Sequence, residues 1–122
     1  MEVKDKLIFR VAATLGLFAM IIGTMGAHGI KFQDEHYHKL FDTGLLYLFI
    51  HIPVLMLLGV LGMRKEALLL TTGVCGFSLP LIVKGITTNG AGILVPVAGM
   101  LMISAWVWII ISAGNNKIKE SE

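Results

Sequence analysis

The sequence predicts an all-α integral membrane protein, a four-helix antiparallel bundle with both termini in the cytoplasm. Four stretches contain no Asp, Glu, Lys or Arg: residues 11–25 and beyond, 43–63, 67–83 and 85–116. A helix needs about 20 apolar residues to cross a hydrocarbon core of roughly 30 Å, and each stretch supplies enough. The composition agrees, since 56% of the residues are hydrophobic, 15% are charged and the mean hydropathy is +0.82. A soluble core of this size would lack a polar coat.

Lysine and arginine are concentrated on one side of the predicted spans. Seven of the ten lie in the N-terminal tail, the middle connection and the C-terminal tail: Lys4, Lys6, Arg10, Arg64, Lys65, Lys117 and Lys119. The other side has Lys31, Lys39 and Lys84. Because basic flanks resist translocation, this distribution predicts that both termini are cytoplasmic. The expected location is a bacterial cytoplasmic (inner) membrane.

The whole chain, residues 1–122, is expected to form one transmembrane domain. Its helices are predicted at about residues 7–25, 40–61, 66–84 and 90–113. The first helix could instead be a cleaved signal peptide. Its apolar run is longer than a usual signal core and three further spans follow, so we expect it to be retained.

Local signals place the helix ends. Asp34 can cap the second helix, and Glu35 complements the positive end of that helix, which would then begin in the interface ahead of its apolar part. Residues 63–65 form a tight turn before the third helix, and residues 87–90 are a turn signal before the fourth. Connections this short make sequential helices antiparallel neighbours.

Two helices carry a face of small residues at alternating spacings of four and three. In the first helix this face is Ala12, Gly16, Ala19, Gly23 and Gly26, and in the fourth it is Gly92, Pro96 and Gly99, followed by Ile103 and Trp106. In lipid, close backbone approach is a main source of helix association. These faces are predicted to pack inside one bundle. The alternative is an interface with a second copy or with another membrane protein.

Every proline of the chain falls inside a predicted span, at Pro53, Pro80 and Pro96. A proline removes the hydrogen bond to the carbonyl four residues earlier, which releases those of Phe49, Gly76 and Gly92. A released carbonyl in lipid needs another partner, so kinked or unwound helices are expected. Such geometry often surrounds an intramembrane site but also occurs in simple helix packing.

His51 is the most informative polar residue of the spans. It lies about ten residues into the second helix, ~15 Å deep at ~1.5 Å per residue. Thr43 and Tyr47 precede it on roughly the same helix face and extend a polar stripe toward the outer surface. His51 is therefore either part of a functional site or a structural histidine satisfied by a hydrogen bond. Lys84 either snorkels to the headgroups or places a charge in an outward-facing cavity.

The sequence does not favour metal, cofactor or catalytic chemistry. His38 and Asp42 are four residues apart and could share a metal, but no third ligand has a useful spacing. A haem held by His28 and His51 is disfavoured because their depths differ by ~15 Å. No nucleophile and base pair or carboxylate pair lies at membrane depth, so we expect no enzyme activity and no cofactor. No basic patch indicates nucleic-acid binding.

Three motifs resemble the domain-of-unknown-function family 423, which includes animal transmembrane protein 256. They are Gly23-Thr-Met-Gly26-Ala27-His28-Gly29-Ile30, then Thr43-Gly44-x-x-Tyr47-x-x-x-His51, and finally Pro96-Val-Ala-Gly99 with Trp106. The resemblance spans about residues 16–110 and implies a small membrane protein of several helices, without an established activity. This chain departs from the family pattern at Val95, Ala98, Pro80 and Lys84.

Two functions from different classes follow as hypotheses. In the first, a polar cleft in the outer half of the bundle binds or helps to transport a small solute, a lipid or a proton, and its candidate lining is His28, Thr43, Tyr47, His51 and Lys84. In the second, the protein is a structural membrane anchor or an assembly subunit of a larger membrane complex. The lipid bilayer is the expected partner in both.

Overall fold

The computed structural model describes residues 2–90 and 92–114, and most of them are helical. The helices are α1 (Lys6–His28), α2 (Glu35–Leu61), α3 (Arg64–Thr87) and α4 (Leu94–Gly114). Each is long and apolar enough to cross a membrane. The predicted all-α, four-helix membrane bundle is confirmed. The cytoplasmic orientation of the termini stays a prediction, and Lys117 and Lys119, which contribute to it, lie outside the described residues.

The beginning of α2 is set by Asp34. Its side chain accepts hydrogen bonds from the backbone N–H groups of His36 and Tyr37, at 2.9 and 3.3 Å. The predicted cap is confirmed, and α2 therefore begins at Glu35, ahead of its apolar part. The helix ends at Leu61 and is followed by Gly62, whose φ of 76° is a left-handed conformation that glycine adopts without steric cost.

The start of α4 differs from the prediction. The helix begins at Leu94 rather than at residue 90, because Gly90 and Gly92 have φ angles of 102° and 53°, which a helix cannot accommodate. Pro96 then falls in the first turn of α4, where the backbone N–H groups have no helical partner. The expectation that Pro96 frees the Gly92 carbonyl from a helix is therefore wrong. Pro53 and Pro80 do lie inside helices.

Consecutive helices pack antiparallel and form an open row in the order α1, α2, α3, α4. Extensive contacts join α2 to α3, α3 to α4 and α1 to α2, whereas α1 and α4 share at most a marginal contact within the described residues. In the most apolar window of each helix, 39% of α2 and 44% of α3 is buried, against 17% of α1 and of α4. The outer helices therefore present most of their surface to lipid.

Glycines allow the closest helix approaches. An ideal Cβ on Gly44 would lie 2.8 Å from the Ser78 carbonyl oxygen of α3, and one on Gly73 would lie 2.9 Å from the Met102 backbone nitrogen of α4. Gly85 approaches α2 equally closely. Real Cβ atoms are not found at such distances from backbone atoms, so only glycine permits α2 and α4 to pack this tightly on α3.

A set of polar contacts, here called the basal clasp, fastens the N-terminal segment to the turn between α2 and α3. The Asp5 carboxylate accepts hydrogen bonds from Arg64 Nε and Nη2, at 2.7 and 3.0 Å, and from the Ile8 N–H at 3.2 Å. The backbone N–H of Asp5 donates to the Gly59 carbonyl at 2.8 Å. Asp5 thus caps α1 and joins it to α2 and α3 at once.

A second buried polar pair lies near the same end of the bundle. The Ser112 hydroxyl of α4 donates to Glu66 Oε1 of α3 at 2.9 Å, and both residues are almost fully buried. A buried carboxyl group is tolerated when it is hydrogen-bonded. This contact joins α3 to α4 at the end of the bundle where the basal clasp joins α1 to α2 and α3.

Replacing Asp5 with alanine should destabilise the protein. Loss of the α1 cap alone costs about 0.5 to 2 kcal/mol, and the Arg64 guanidinium loses its partner as well. The midpoint of thermal unfolding, measured by circular dichroism in detergent, should fall clearly below that of wild type. Glu2→Ala removes an exposed carboxylate from the same segment and should leave the midpoint nearly unchanged. Equal effects of the two substitutions would contradict a specific clasp.

The same contact predicts a pH dependence. The hydrogen bond from Arg64 holds the pKa of the Asp5 carboxyl below its ordinary value of 3.8, although partial burial acts in the other direction. A lowered folded pKa contributes stability that is present above pH 3.8 and is lost as the pH falls through the folded pKa. The difference in melting temperature between wild type and Asp5→Asn should therefore shrink on acidification.

Candidate functional site

A groove of about 410 Å³ lies between α2 and α4, with α3 beneath it. Both α2 and α4 pack on α3, and the groove lies where these two helices face each other above it. Its lining consists of Tyr47, His51, Phe77, Pro96, Gly99, Met100, Met102, Ile103 and Trp106. The lining extends from Pro96, in the first turn of α4, to Trp106 near the middle of that helix. Met100 and Ile103 are 70% and 65% exposed, so this part of the groove is open at the surface of α4.

His51 connects the two sides of this groove. Its Nδ1 lies 2.7 Å from the Tyr47 carbonyl oxygen, one turn earlier in α2, and its Nε2 lies 3.1 Å from the indole Nε1 of Trp106 in α4. An indole N–H can only donate and a carbonyl oxygen can only accept. His51 is therefore neutral, with its hydrogen on Nδ1, and Nε2 accepts from Trp106. Both ring nitrogens are satisfied, and the side chain is only 5% exposed.

The aromatic side chains of the groove form a connected series. The rings of Phe77 and Tyr47 meet edge to face with centroids 4.9 Å apart, and those of His51 and Trp106 meet edge to face at 5.8 Å. Tyr47 and His51 are near parallel at 6.5 Å. Such pairs add about 0.5 to 1.5 kcal/mol each beyond their buried area. The walls of the groove are therefore held in place by contacts across three helices.

One polar atom of the groove is not committed to the fold. The Tyr47 hydroxyl forms no hydrogen bond with any described residue, and the side chain is 39% exposed. The other polar side-chain atoms of the lining belong to His51 and Trp106, which bond each other. None of the lining residues carries a charge. The groove is thus apolar and aromatic, with a single free phenol group.

The structure brings together only part of the predicted site. Tyr47 and His51 line the groove, as do Pro96 and Gly99, which had been assigned to helix packing. Thr43, His28 and Lys84 do not line it. Thr43 is exposed on α2, His28 is exposed at the end of α1, and Lys84 is partly exposed in the last turn of α3.

The predicted packing glycines also divide into two groups. Gly23 and Gly26 of α1 face Leu45 and Phe41 of α2, and an ideal Cβ on Gly16 would lie 3.6 Å from the Ile52 side chain. The small-residue face of α1 is therefore used inside the monomer, against α2. Gly92 lies before α4 and has nothing within 4 Å of its ideal Cβ position, so it does not pack helices in this chain.

The histidines at the other end of the bundle form surface contacts. His38 Nε2 lies 3.4 Å from the Asp42 carboxylate, and both side chains are exposed. The His38 ring also stacks on Phe32 at 4.4 Å. Within residues 2–90 and 92–114, no group of three His, Cys, Asp or Glu side chains is placed to hold a metal ion. His51 has no free nitrogen to offer a haem iron, because both are hydrogen-bonded.

Sequence reasoning missed the partner of His51. Trp106 is 55 residues away along the chain, and no local spacing connects the two. Its presence in the motif with Pro96 and Gly99 was the available signal, because all three residues line the groove. Phe77 and the methionines of the lining carried no signal, since apolar residues are the rule in a membrane span.

Comparisons with known proteins agree on one family. The family model described as "Protein of unknown function (DUF423)" matches residues 22–100. UPF0382 membrane protein C1782.12c of Schizosaccharomyces pombe is 34% identical over 116 residues, covering 85% of this chain and 98% of that protein. UPF0382 membrane protein SAB0533 of Staphylococcus aureus is 26% identical over 115 residues, covering 88% and 94% respectively.

No solved structure matches the chain significantly. Since one relative comes from a yeast and the other from a bacterium, membership of the family does not by itself indicate a bacterial inner membrane. The match to more than half of the chain and the near full-length similarity to the yeast protein show that this membrane protein belongs to the DUF423 family.

Proposed function

We propose that the protein binds an uncharged, membrane-dissolved small molecule in the groove between α2 and α4. The observation that carries this proposal is the free Tyr47 hydroxyl in an otherwise apolar groove. A polar group without a partner in an apolar environment costs free energy, which a bound molecule with a complementary polar atom recovers. A volume of about 410 Å³ is within the usual range for small-molecule sites.

The residues that line the groove favour some of the ligands that the sequence suggests, a small solute, a lipid or a proton, over others. A charged or strongly hydrophilic solute would lose its hydration without gaining a counter-charge, because Lys84 and His28 lie outside the groove. A molecule already dissolved in the bilayer loses no hydration shell on entry. The groove therefore favours lipid-soluble ligands over ions and sugars.

The fixed position of Trp106 supports binding further. Its indole ring is 38% exposed and forms one wall, and the hydrogen bond to His51 holds it in a single orientation. A wall that is ordered before binding loses little conformational entropy when a ligand arrives. The role of His51 in this proposal is to hold the Trp106 ring in place. Both of its ring nitrogens are already hydrogen-bonded, so it offers no free polar atom to the ligand.

Photolabelling in lipid nanodiscs tests the proposal. An uncharged alkyl ketone that carries a diazirine should label Tyr47 and its neighbours in a saturable manner, as located by peptide mass spectrometry. Gly99→Leu should abolish this saturable labelling because the new side chain fills the groove; an ideal Cβ at Gly99 has room, 3.7 Å from Phe77. Ser104→Leu adds similar bulk on an exposed part of α4 outside the groove and should leave labelling intact.

Two results would contradict the proposal. Labelling that rises linearly with probe concentration and extends evenly over lipid-facing residues such as Ile110 would show that the groove is ordinary protein surface. If Gly99→Leu instead removes a complex on native gels while labelling stays unchanged, the groove receives a protein helix, and the assembly-subunit hypothesis is the better one.

A further inference from the structure

We infer that the molecule bound in this groove is a quinone, an uncharged ring that carries carbonyl groups and a lipid-soluble tail. The inference rests on the proposed function and names the ligand class of the same site. It follows from three features of the lining: the chemistry of its flat walls, the hydrogen-bonding direction of its one free polar group, and the open side of the groove.

The walls favour a flat, electron-poor ring. Trp106, Tyr47 and Phe77 line the groove with aromatic rings, and Met100 and Met102 add polarizable thioethers. The faces of aromatic rings carry partial negative charge, most strongly in Trp and Tyr. A ring depleted of electrons by its carbonyl groups is complementary to such faces, whereas a saturated acyl chain gains only dispersion energy from them.

The hydroxyl favours an acceptor on that ring. A neutral phenol in an apolar environment has one O–H to donate, and the Tyr47 hydroxyl has no acceptor among the described residues. A ring carbonyl supplies that acceptor. His51 cannot supply a second donor, because its Nδ1 hydrogen is directed at the Tyr47 carbonyl. The site therefore offers one hydrogen bond to one ring carbonyl. Since a phenol can also accept a hydrogen bond from a hydroquinone, the tighter binding expected for the oxidised ring follows from its electron-poor face.

The size and position of the groove agree with this class of ligand. The cavity of about 410 Å³ holds a substituted six-membered ring and the beginning of a tail. Because Met100 and Ile103 of the lining are also exposed on the apolar surface of α4, the rest of an isoprenoid or alkyl tail can extend from the groove into the hydrocarbon core.

Tryptophan fluorescence gives a direct test, because quinones quench indole emission at close range. The chain has two tryptophans, and only Trp106 lines the groove. In Trp108→Phe protein in nanodiscs, a decyl-substituted benzoquinone should quench Trp106 with a saturating dependence on its concentration in the lipid. Trp106→Phe protein reports Trp108, two residues away, which should be quenched linearly, by collision alone.

Two comparisons make the test specific. Tyr47→Phe in the Trp108→Phe background should weaken the saturable component about fivefold, the loss of one neutral hydrogen bond. The reduced hydroquinone should compete less well than the quinone. Circular dichroism shows whether Trp106→Phe folds. If it does not, wild-type protein replaces it as the comparison: its fluorescence should contain a saturably quenched component, and Trp108→Phe protein should show the same component at full size.

The outcomes separate this inference from the proposed function. Linear quenching of Trp106, or saturable quenching that Tyr47→Phe does not weaken, would overturn the quinone assignment. If the diazirine ketone still labels the groove in a saturable manner, the proposed binding function stands with a different ligand. If neither probe saturates, both are wrong.

Discussion

Replacing Gly73 with alanine should lower the free energy of unfolding by about 1 to 3 kcal/mol, the usual cost of an extra methyl group in a packed interior. The new Cβ would lie 2.9 Å from the backbone nitrogen of Met102, so α4 has to move away from α3. Gly44→Ala should have a similar effect at the interface of α2 and α3, where the contact is the Ser78 carbonyl. Equilibrium unfolding of the reconstituted protein measures both.

Matched glycines provide the control for this prediction. An ideal Cβ on Gly16 or Gly99 would lie 3.6 or 3.7 Å from the nearest side chain, which is ordinary van der Waals distance. Alanine at either position should be neutral or slightly stabilising, because alanine favours a helix over glycine. If all four substitutions destabilise equally, the loss of stability has a cause other than the close approach of backbones at α3.

His51→Leu should be the most damaging change in the groove. The substitution leaves the Trp106 indole N–H without its acceptor, and a polar group left unpaired away from water costs about 1 to 3 kcal/mol. His38→Leu, on an exposed part of α2, serves as the control and should have little effect on unfolding. The indole N–H resonance of Trp106 in a ¹⁵N-labelled sample should shift markedly in His51→Leu and not in His38→Leu.

A double-mutant cycle isolates the contact itself. With Trp106→Phe as the second substitution, the coupling energy between the two positions should be about 1 kcal/mol, in the range found for hydrogen bonds between membrane helices. Additive effects would mean that the two side chains contribute to packing without a significant hydrogen bond. In that case the indole would not be held in position as the ligand-binding proposal requires.

The helices and their antiparallel order could be predicted because the signals are local. Uncharged runs of about 20 residues define spans, and short connections define neighbours. Asp34 caps α2 as predicted because a cap acts over only two or three residues. The start of α4 was placed too early because hydropathy does not register the positive φ angles of Gly90 and Gly92.

Contacts between distant residues could not be predicted. The basal clasp joins Asp5 to Arg64, 59 residues apart, and no pattern in the sequence distinguishes this pair from other surface charges. The open row also has no local signal, since short connections do not decide whether α4 returns to α1. Gly44, Gly73 and Gly85, which allow the closest approaches of α2 and α4 to α3, are not among the glycines predicted to pack helices.

The candidate site shows the same division. Tyr47 and His51 were recognisable because polar residues are rare inside a span. The other residues predicted to line the same polar cleft, Thr43, His28 and Lys84, lie outside the cavity. The spacing of polar residues along one helix predicts which face of that helix they share. It does not predict which neighbouring helix packs on that face, and a cavity depends on both. The other two aromatic residues of the groove, Phe77 and Trp106, come from α3 and α4.

The hydrogen bonds of His51 have a direction that bears on proton movement. Both N–H bonds point the same way, from Trp106 to the imidazole and from the imidazole to the Tyr47 carbonyl. An indole does not release its proton at ordinary pH, and a backbone carbonyl cannot pass one on, so the series has neither a source nor an exit. The pair is better described as a spacer than as a proton wire, and it sets the width of the opening between α2 and α4.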